Sequence, residues 1–209
     1  MVAALNASLR RVPLWVVYVL GVVPAGWVFW LAATGGLGPD PVRSLEHWYG
    51  ETALQLLVAG LAVTPLRRFT GVSLLRFRRA LGLLAFAYVL FHVAVWLLLD
   101  IQLDMAAAWE DVFERPHITV GVVGLALLVP LALTSTDRAM RRMGPQAWRR
   151  LHRLAYGAVL AGAIHYLMLV KTWEAAPLAY LAVILLLLAL RLPLEAVWRA
   201  TSLRGWRSN

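Results

Sequence analysis

Two histidines lie in segments that are otherwise apolar, and their side chains are able to bind a metal ion. His92 lies in the segment AYVLFHVAVWLLLD, and His165 lies in the segment GAIHYLMLVK. Ionisable side chains are costly inside a bilayer, which makes them candidates for a functional role. Neutral imidazole is a common axial ligand of haem iron, and such sites form from side chains on facing helices. The pair therefore predicts a haem held between two helices.

The spacing predicts that these two histidines lie at nearly equal depth. At about 1.5 Å per residue, His92 lies about 12 Å from Asp100 and His165 lies about 9 Å from Lys171 along their helices. A zinc ion matches this pattern less well, because it needs three or four ligands. Two alternatives to the haem pair stay open: Met168 as a softer axial ligand, and histidines that only form hydrogen bonds between helices.

His152 is a third histidine, placed by the pattern on the same helix as His165 but about 20 Å away along its axis. The matching position on the helix of His92 is Arg78, and Arg79 follows it. Arginine does not bind iron because it is effectively always protonated, so a second haem with two histidine ligands is not predicted. His152 instead favours a propionate, a flavin phosphate or a quinone head, with Arg78 or Arg79 supplying positive charge. A histidine that only faces lipid headgroups is the alternative.

Two further histidines, His47 and His117, fall near the predicted starts of helices. They are candidates for a docking surface or a quinone site. The simpler interpretation is that they are interfacial polar residues, because the ends of membrane helices are hydrated.

The elements that position these residues must be membrane helices. The chain has 209 residues, of which 61% are hydrophobic, and its mean hydropathy is +0.71. A soluble domain is usually about 45–50% apolar, and a chain of this size could not bury such an excess. There is no cysteine, which excludes disulfides, iron–sulfur clusters and covalently attached c-type haem. We expect an all-α integral membrane bundle that forms one domain over residues 1–209.

Six membrane-crossing helices are predicted, because each needs about 20 mostly apolar residues. They lie near residues 12–33, 48–66, 80–99, 116–136, 150–170 and 175–193.

The connecting segments alternate in charge. The connections near 40–51 and 100–115 are acidic, whereas those near 67–79 and 137–153 are rich in arginine. Arginine and lysine concentrate on the cytoplasmic side, so both termini are expected inside. The net charge of +9 is thus interpreted as a topology signal in a protein surrounded by lipid, rather than as a nucleic-acid site.

Several motifs spread over most of the chain resemble the MsrQ (YedZ) family, which belongs to the ferric-reductase-like transmembrane group. They are GGLGPDPV (35–42), GETALQLL (50–57), TPLRR (64–68), RFRRALGLLAFAYVLFH (76–92), RPHITVG (115–121), ALTSTDRAMRRMGPQAWRRLHRLAYG (132–157) and IHYLMLVK (164–171).

The resemblance implies a haem b protein of the bacterial inner membrane that transfers electrons but is not itself catalytic on methionine sulfoxide. It implies a periplasmic molybdenum-cofactor partner, MsrP, that reduces methionine sulfoxide in oxidised proteins. The quinone pool or a cytosolic flavin reductase would be the electron donor, and FMN would be a second cofactor. His92 and His165 match the family's haem ligands, and His152 matches a third histidine of less defined role.

Two other functions stay open at this point. A stand-alone ferric or quinone reductase would use the same haem without a protein partner. A transporter or assembly factor without haem would use the histidines only for packing, although the sequence offers no apparent inverted repeat.

Overall fold

Helices make up nearly all of the part of the chain that the computed structural model describes, which is residues 1–170 and 174–191. No strand occurs in these residues, which confirms the expected all-α class. The helices are α1 (Val2–Arg11), α2 (Leu14–Ala33), α3 (Pro41–Thr70), α4 (Arg78–Val95), α5 (Met105–Glu114), α6 (Pro116–Leu133), α7 (Asp137–Leu151), α8 (Leu154–Leu169) and α9 (Ala175–Ala189).

Within residues 1–170 and 174–191, three stretches are long and apolar enough to cross a membrane, namely α2, α6 and the segment Leu75–Asp100 that contains α4. Helices α8 and α9 are apolar but shorter. Six crossings with both termini on one side therefore stay a prediction. Residues 192–209, including the expected end of the last helix at 193, lie outside the described residues.

The boundaries of α3 extend beyond the apolar segment expected at 48–66, and local sequence explains both ends. The side chain of Asp40 accepts a hydrogen bond from the backbone N–H of Arg43 at 3.1 Å, and Pro41 occupies the first turn. Both features are typical of a helix start. The helix ends at Gly71, whose φ of 74° lies in the left-handed region that glycine readily adopts. The capping residues thus determine where α3 begins and ends, whereas hydropathy predicts only its apolar middle.

Two helix pairs form the centre of the bundle. Helix α3 packs along α4, and α6 packs along α8. Small residues line the contact between α6 and α8, where a Cβ at Gly124 would make an ordinary contact of 3.4 Å with the Cβ of Ala161. The pairs meet through contacts of α4 with α6 and of α3 with α8, while α2 and α9 pack outside. We call the end with connections 34–40 and 101–115 the acidic end, and the end with connections 71–77 and 134–153 the basic end.

Two tyrosines attach α2 to the central helices. The hydroxyl of Tyr49 on α3 donates to the carbonyl of Ala25 at 2.9 Å. The hydroxyl of Tyr88 on α4 donates to the carbonyl of Gly21 at 2.7 Å. Both tyrosines are buried, so each phenol combines apolar packing with a satisfied polar group.

The outer surface of the bundle is apolar. Large hydrophobic side chains are exposed along α2 and α9, including Val19, Leu20, Val23, Phe29, Val183, Leu185 and Leu186. Soluble proteins rarely expose continuous apolar surface of this extent. The surface therefore suits a multi-pass membrane protein whose outer helices contact lipid.

The predicted start of the helix at 150–170 was wrong. Helix α7 ends at Leu151, residues 152 and 153 form a turn, and α8 begins at Leu154. His152 closes α7 by donating its backbone N–H to the carbonyl of Trp148 at 3.0 Å. No glycine or proline lies at this turn. The sequence pattern therefore predicted one continuous helix across it. His152 and His165 therefore do not share a helix.

Candidate functional site

His92 and His165 face each other between the two helix pairs. His92 lies on α4 and His165 lies on α8. The centroids of their rings are 6.0 Å apart, and the ring planes cross at 82°. The structure thus brings together the two histidines that the sequence placed at equal depth.

Backbone carbonyls hold both imidazoles. The Nδ1 atom of His92 lies 2.9 Å from the carbonyl oxygen of Glu46. The Nδ1 atom of His165 lies 2.6 Å from the carbonyl oxygen of His117. A carbonyl only accepts hydrogen bonds, so Nδ1 must carry the proton in each ring and Nε2 retains a free lone pair. Histidines that bind metals are usually oriented in this way.

A cavity of about 580 Å³ lies between the four central helices and includes both histidines in its wall. This volume falls within the range of about 300–1,000 Å³ that is usual for cofactor and ligand pockets. Its deep wall is apolar and contains Leu54, Leu57, Val89, Leu125 and Leu128. Its rim at the acidic end is charged and contains Asp40, Arg43, Asp100 and Arg115. Such a cavity fits a flat apolar group with charged substituents on one edge.

Trp96 lines this cavity and carries a buried hydrogen-bond donor. Helix α4 continues into one π-helical turn, Trp96–Asp100, and such widened turns are frequent at functional sites. The indole Nε1 of Trp96 is buried and has no hydrogen-bond partner among the residues that the structure describes. Burying a donor without a partner costs about 1–3 kcal/mol. The indole N–H is thus a buried donor whose hydrogen bond no described residue accepts.

Glu46 brings a carboxyl group close to His92. It lies in the first turns of α3, ahead of the apolar segment, and its Oε1 atom is 4.0 Å from Nε2 of His92. Burial, followed by the negative charge of Asp100, raises the pKa of Glu46 to about 7, although Arg43 opposes this change. This shift favours the protonated carboxyl beside the imidazole more than in a free glutamate.

The other predicted site residues gather at the basic end. The Nε2 atom of His152 lies 3.3 Å from the hydroxyl of Thr134, and its ring stacks on Trp148 at 3.8 Å. Burial, followed by the charges of Arg78 and Arg79, lowers the pKa of His152. Arg79 pairs with Asp137 on α7 at 2.7 Å.

Arg191 joins this basic end and was not singled out from the sequence. Its guanidinium donates to the hydroxyl of Tyr156 at 3.0 Å and to the carbonyl of Leu61. Its Nε atom is buried and has no partner among the described residues. The sequence showed only an arginine after an apolar helix, a pattern that topology alone explains.

His47 and Met168 take no part in the facing pair. The His47 ring packs against Tyr166, with centroids 5.4 Å apart, and its Nε2 atom lies 4.0 Å from a carboxylate oxygen of Glu51. The side chain of Met168 is 44% exposed on α8 and is not part of the cavity wall. His117 contributes its backbone carbonyl, which no side-chain pattern reveals.

Comparisons with known proteins point in the same direction. Residues 48–163 match a family model described as "Ferric reductase like transmembrane component". Relatives from Brucella ovis, Brucella canis and Brucella suis are each 48% identical over 198 residues, which cover 92% of this chain and 90% of the relative. Each of these relatives is named "Protein-methionine-sulfoxide reductase heme-binding subunit MsrQ".

Proposed function

This chain belongs to the MsrQ family of ferric-reductase-like transmembrane proteins, and from that premise we propose that it is an electron-transfer subunit with one b-type haem. It receives electrons from a quinone or flavin donor. It passes them to a molybdenum-cofactor methionine sulfoxide reductase of the MsrP type on the periplasmic side of the bacterial inner membrane. The system would repair oxidised periplasmic proteins, and this chain alone would not reduce methionine sulfoxide.

The observation that carries the proposal is the facing pair of imidazoles, each with Nδ1 on a carbonyl. His92 and His165 would bind the iron through Nε2. The unpaired indole N–H of Trp96, together with Arg43 and Arg115 on the rim, suits the two carboxylates of haem. Haem supplies one-electron redox chemistry when it is bound.

The chain's own residues set the conditions for that chemistry. The carbonyls of Glu46 and His117 fix the tautomer and the orientation of each ligand. The apolar wall excludes water, and such burial and hydrogen bonding are the means by which a protein tunes a haem potential. The charged rim supports an orientation in which the haem carboxylates would lie at the acidic end, and the charge pattern predicts that this end faces the periplasm.

The basic end supports entry of electrons from an anionic donor. Arg191 donates to the hydroxyl of Tyr156 at this end, and its Nε atom is buried with no partner among the described residues. The charge of Arg78 acts on both Arg191 and His152. These groups suit a phosphate, so we assign the phosphate of FMN to them. A quinone head would use the same hydrogen-bond donors without needing the charges.

Electron transfer to the partner tests the proposal. The detergent-purified protein, loaded with haem, is reduced under anaerobic conditions. It is then mixed with a methionine sulfoxide reductase of the MsrP type and methionine sulfoxide. We expect haem reoxidation only when partner and substrate are both present. The variant Met168→Leu, altered one turn from His165, should behave like the original protein, whereas His165→Ala should not load haem normally.

A different result would favour the second candidate function. Haem reoxidation by a ferric chelate or a quinone alone, at a rate that the partner does not increase, would indicate a stand-alone reductase and contradict the proposal.

A further inference from the structure

The two histidines are held by the same local arrangement on different helices. On α3, the carbonyl of Glu46 binds His92, and Gly50 follows one helical turn later. On α6, the carbonyl of His117 binds His165, and Gly121 follows one helical turn later. Residues four apart lie on the same face of a helix. Each imidazole therefore rests on a carbonyl and on a glycine of one neighbouring helix.

Both glycines lie directly against the imidazole rings. A Cβ at Gly50 would lie 3.1 Å from Nδ1 and 3.3 Å from Cε1 of His92. A Cβ at Gly121 would lie 3.0 Å from Nδ1 and 3.2 Å from Cε1 of His165. Ordinary contacts between such heavy atoms are about 3.5–4.0 Å. A side chain at either position would therefore require the imidazole ring or the helix to shift by a few tenths of an ångström.

The carbonyl and the glycine constrain different motions of the ring. The hydrogen bond fixes where Nδ1 points, and the bare helix surface at the glycine fixes how the ring plane is turned about that direction. Because α3 and α6 each impose both constraints, the two ring planes are set independently. The result is the crossing angle of 82°, close to a right angle.

We propose that Gly50 and Gly121 are positioning residues that keep the two ligand planes nearly perpendicular; this inference rests on the proposed binding of haem by His92 and His165. The orientation of an axial imidazole determines which iron d orbital it overlaps. Perpendicular rings act equally on two of these orbitals, whereas parallel rings separate their energies. By holding the ligand planes, the glycines would thereby influence the electronic structure of the iron when haem is bound.

Electron paramagnetic resonance of the ferric protein tests this inference. The variants Gly50→Ala and Gly121→Ala are compared with Gly60→Ala, each saturated with haem in detergent. Gly60 lies on the same helix as Gly50, and a Cβ there would meet no atom within 4 Å. It therefore controls for the added methyl group. Haem-to-protein ratio and monodispersity are measured beside the spectrum.

We expect Gly60→Ala to reproduce the original spectrum. Gly50→Ala and Gly121→Ala should each lower the largest g value of the low-spin iron, because turning either ring brings the planes closer to parallel. Partial loss of the low-spin signal from folded protein, as one ring leaves the iron, would also support the inference.

Unchanged g values in both variants, with haem retained, would overturn the inference and leave the proposed function intact. Failure of both variants to fold, while Gly60→Ala folds, would overturn it in favour of a packing role. If the original protein bound no haem, the proposed function would fail and this inference would fail with it.

Discussion

Replacing Trp96 with phenylalanine should weaken haem binding without removing an iron ligand. The substitution deletes the indole N–H, which is buried and has no hydrogen-bond partner in the part of the chain that the structure describes. An unsatisfied buried donor costs about 1–3 kcal/mol, and a hydrogen bond to a charged acceptor recovers about 1.5–3 kcal/mol. The lost packing of the indole affects the haem-free and haem-bound forms alike, so it largely cancels in the affinity. We expect the dissociation constant of haem to rise roughly 10-fold, which corresponds to about 1.4 kcal/mol.

Transfer of haem to an excess of apomyoglobin, followed by absorbance, measures this affinity. Trp109→Phe is the matched control, since Trp109 lies on α5 with 69% of its surface exposed. It should leave the affinity unchanged. Equal affinities for Trp96→Phe and the original protein would show that the indole does not bind the haem carboxylates, and would refute that part of the account.

Three further predictions concern other regions. Tyr49→Phe and Tyr88→Phe should each lower the free energy of unfolding in detergent by about 0.6–1.7 kcal/mol, the range for hydrogen bonds between membrane helices; unchanged melting temperatures would contradict this. Arg78→Ala should weaken FMN binding at least 10-fold in a fluorescence titration, since it removes a charge-assisted contact worth about 1.5–3 kcal/mol; binding unchanged would place the flavin elsewhere. A reporter fused after Asn209 should be cytoplasmic, and periplasmic activity would reverse the topology.

The facing histidines could be predicted from sequence because polar residues are so rare within the apolar segments. His92 and His165 stand out against their surroundings, and helix geometry converts their spacing into depth. The hydrogen bonds between the Nδ1 atoms of these histidines and backbone carbonyls could not be predicted. The carbonyls of Glu46 and His117 are backbone atoms, and only the packing of α3 on α4 and of α6 on α8 brings them to the rings.

The helix boundaries were likewise predicted only in part from the sequence. The apolar core of α3 was predicted, but its start depended on the cap at Asp40, which hydropathy does not register. The turn at His152 was missed because neither glycine nor proline marks it. The position of Trp96 in the cavity wall was also not predicted, because a tryptophan near a helix end is typical of a lipid interface.

The most direct test of the central claim is a spectroscopic titration of the haem-free protein with haem. We predict one haem per chain, with a low-spin ferric spectrum and a Soret band that sharpens on reduction with dithionite. His92→Ala and His165→Ala should each abolish the low-spin spectrum. Normal low-spin haem in both variants, or no haem binding by the original protein, would contradict a haem iron held between these two histidines.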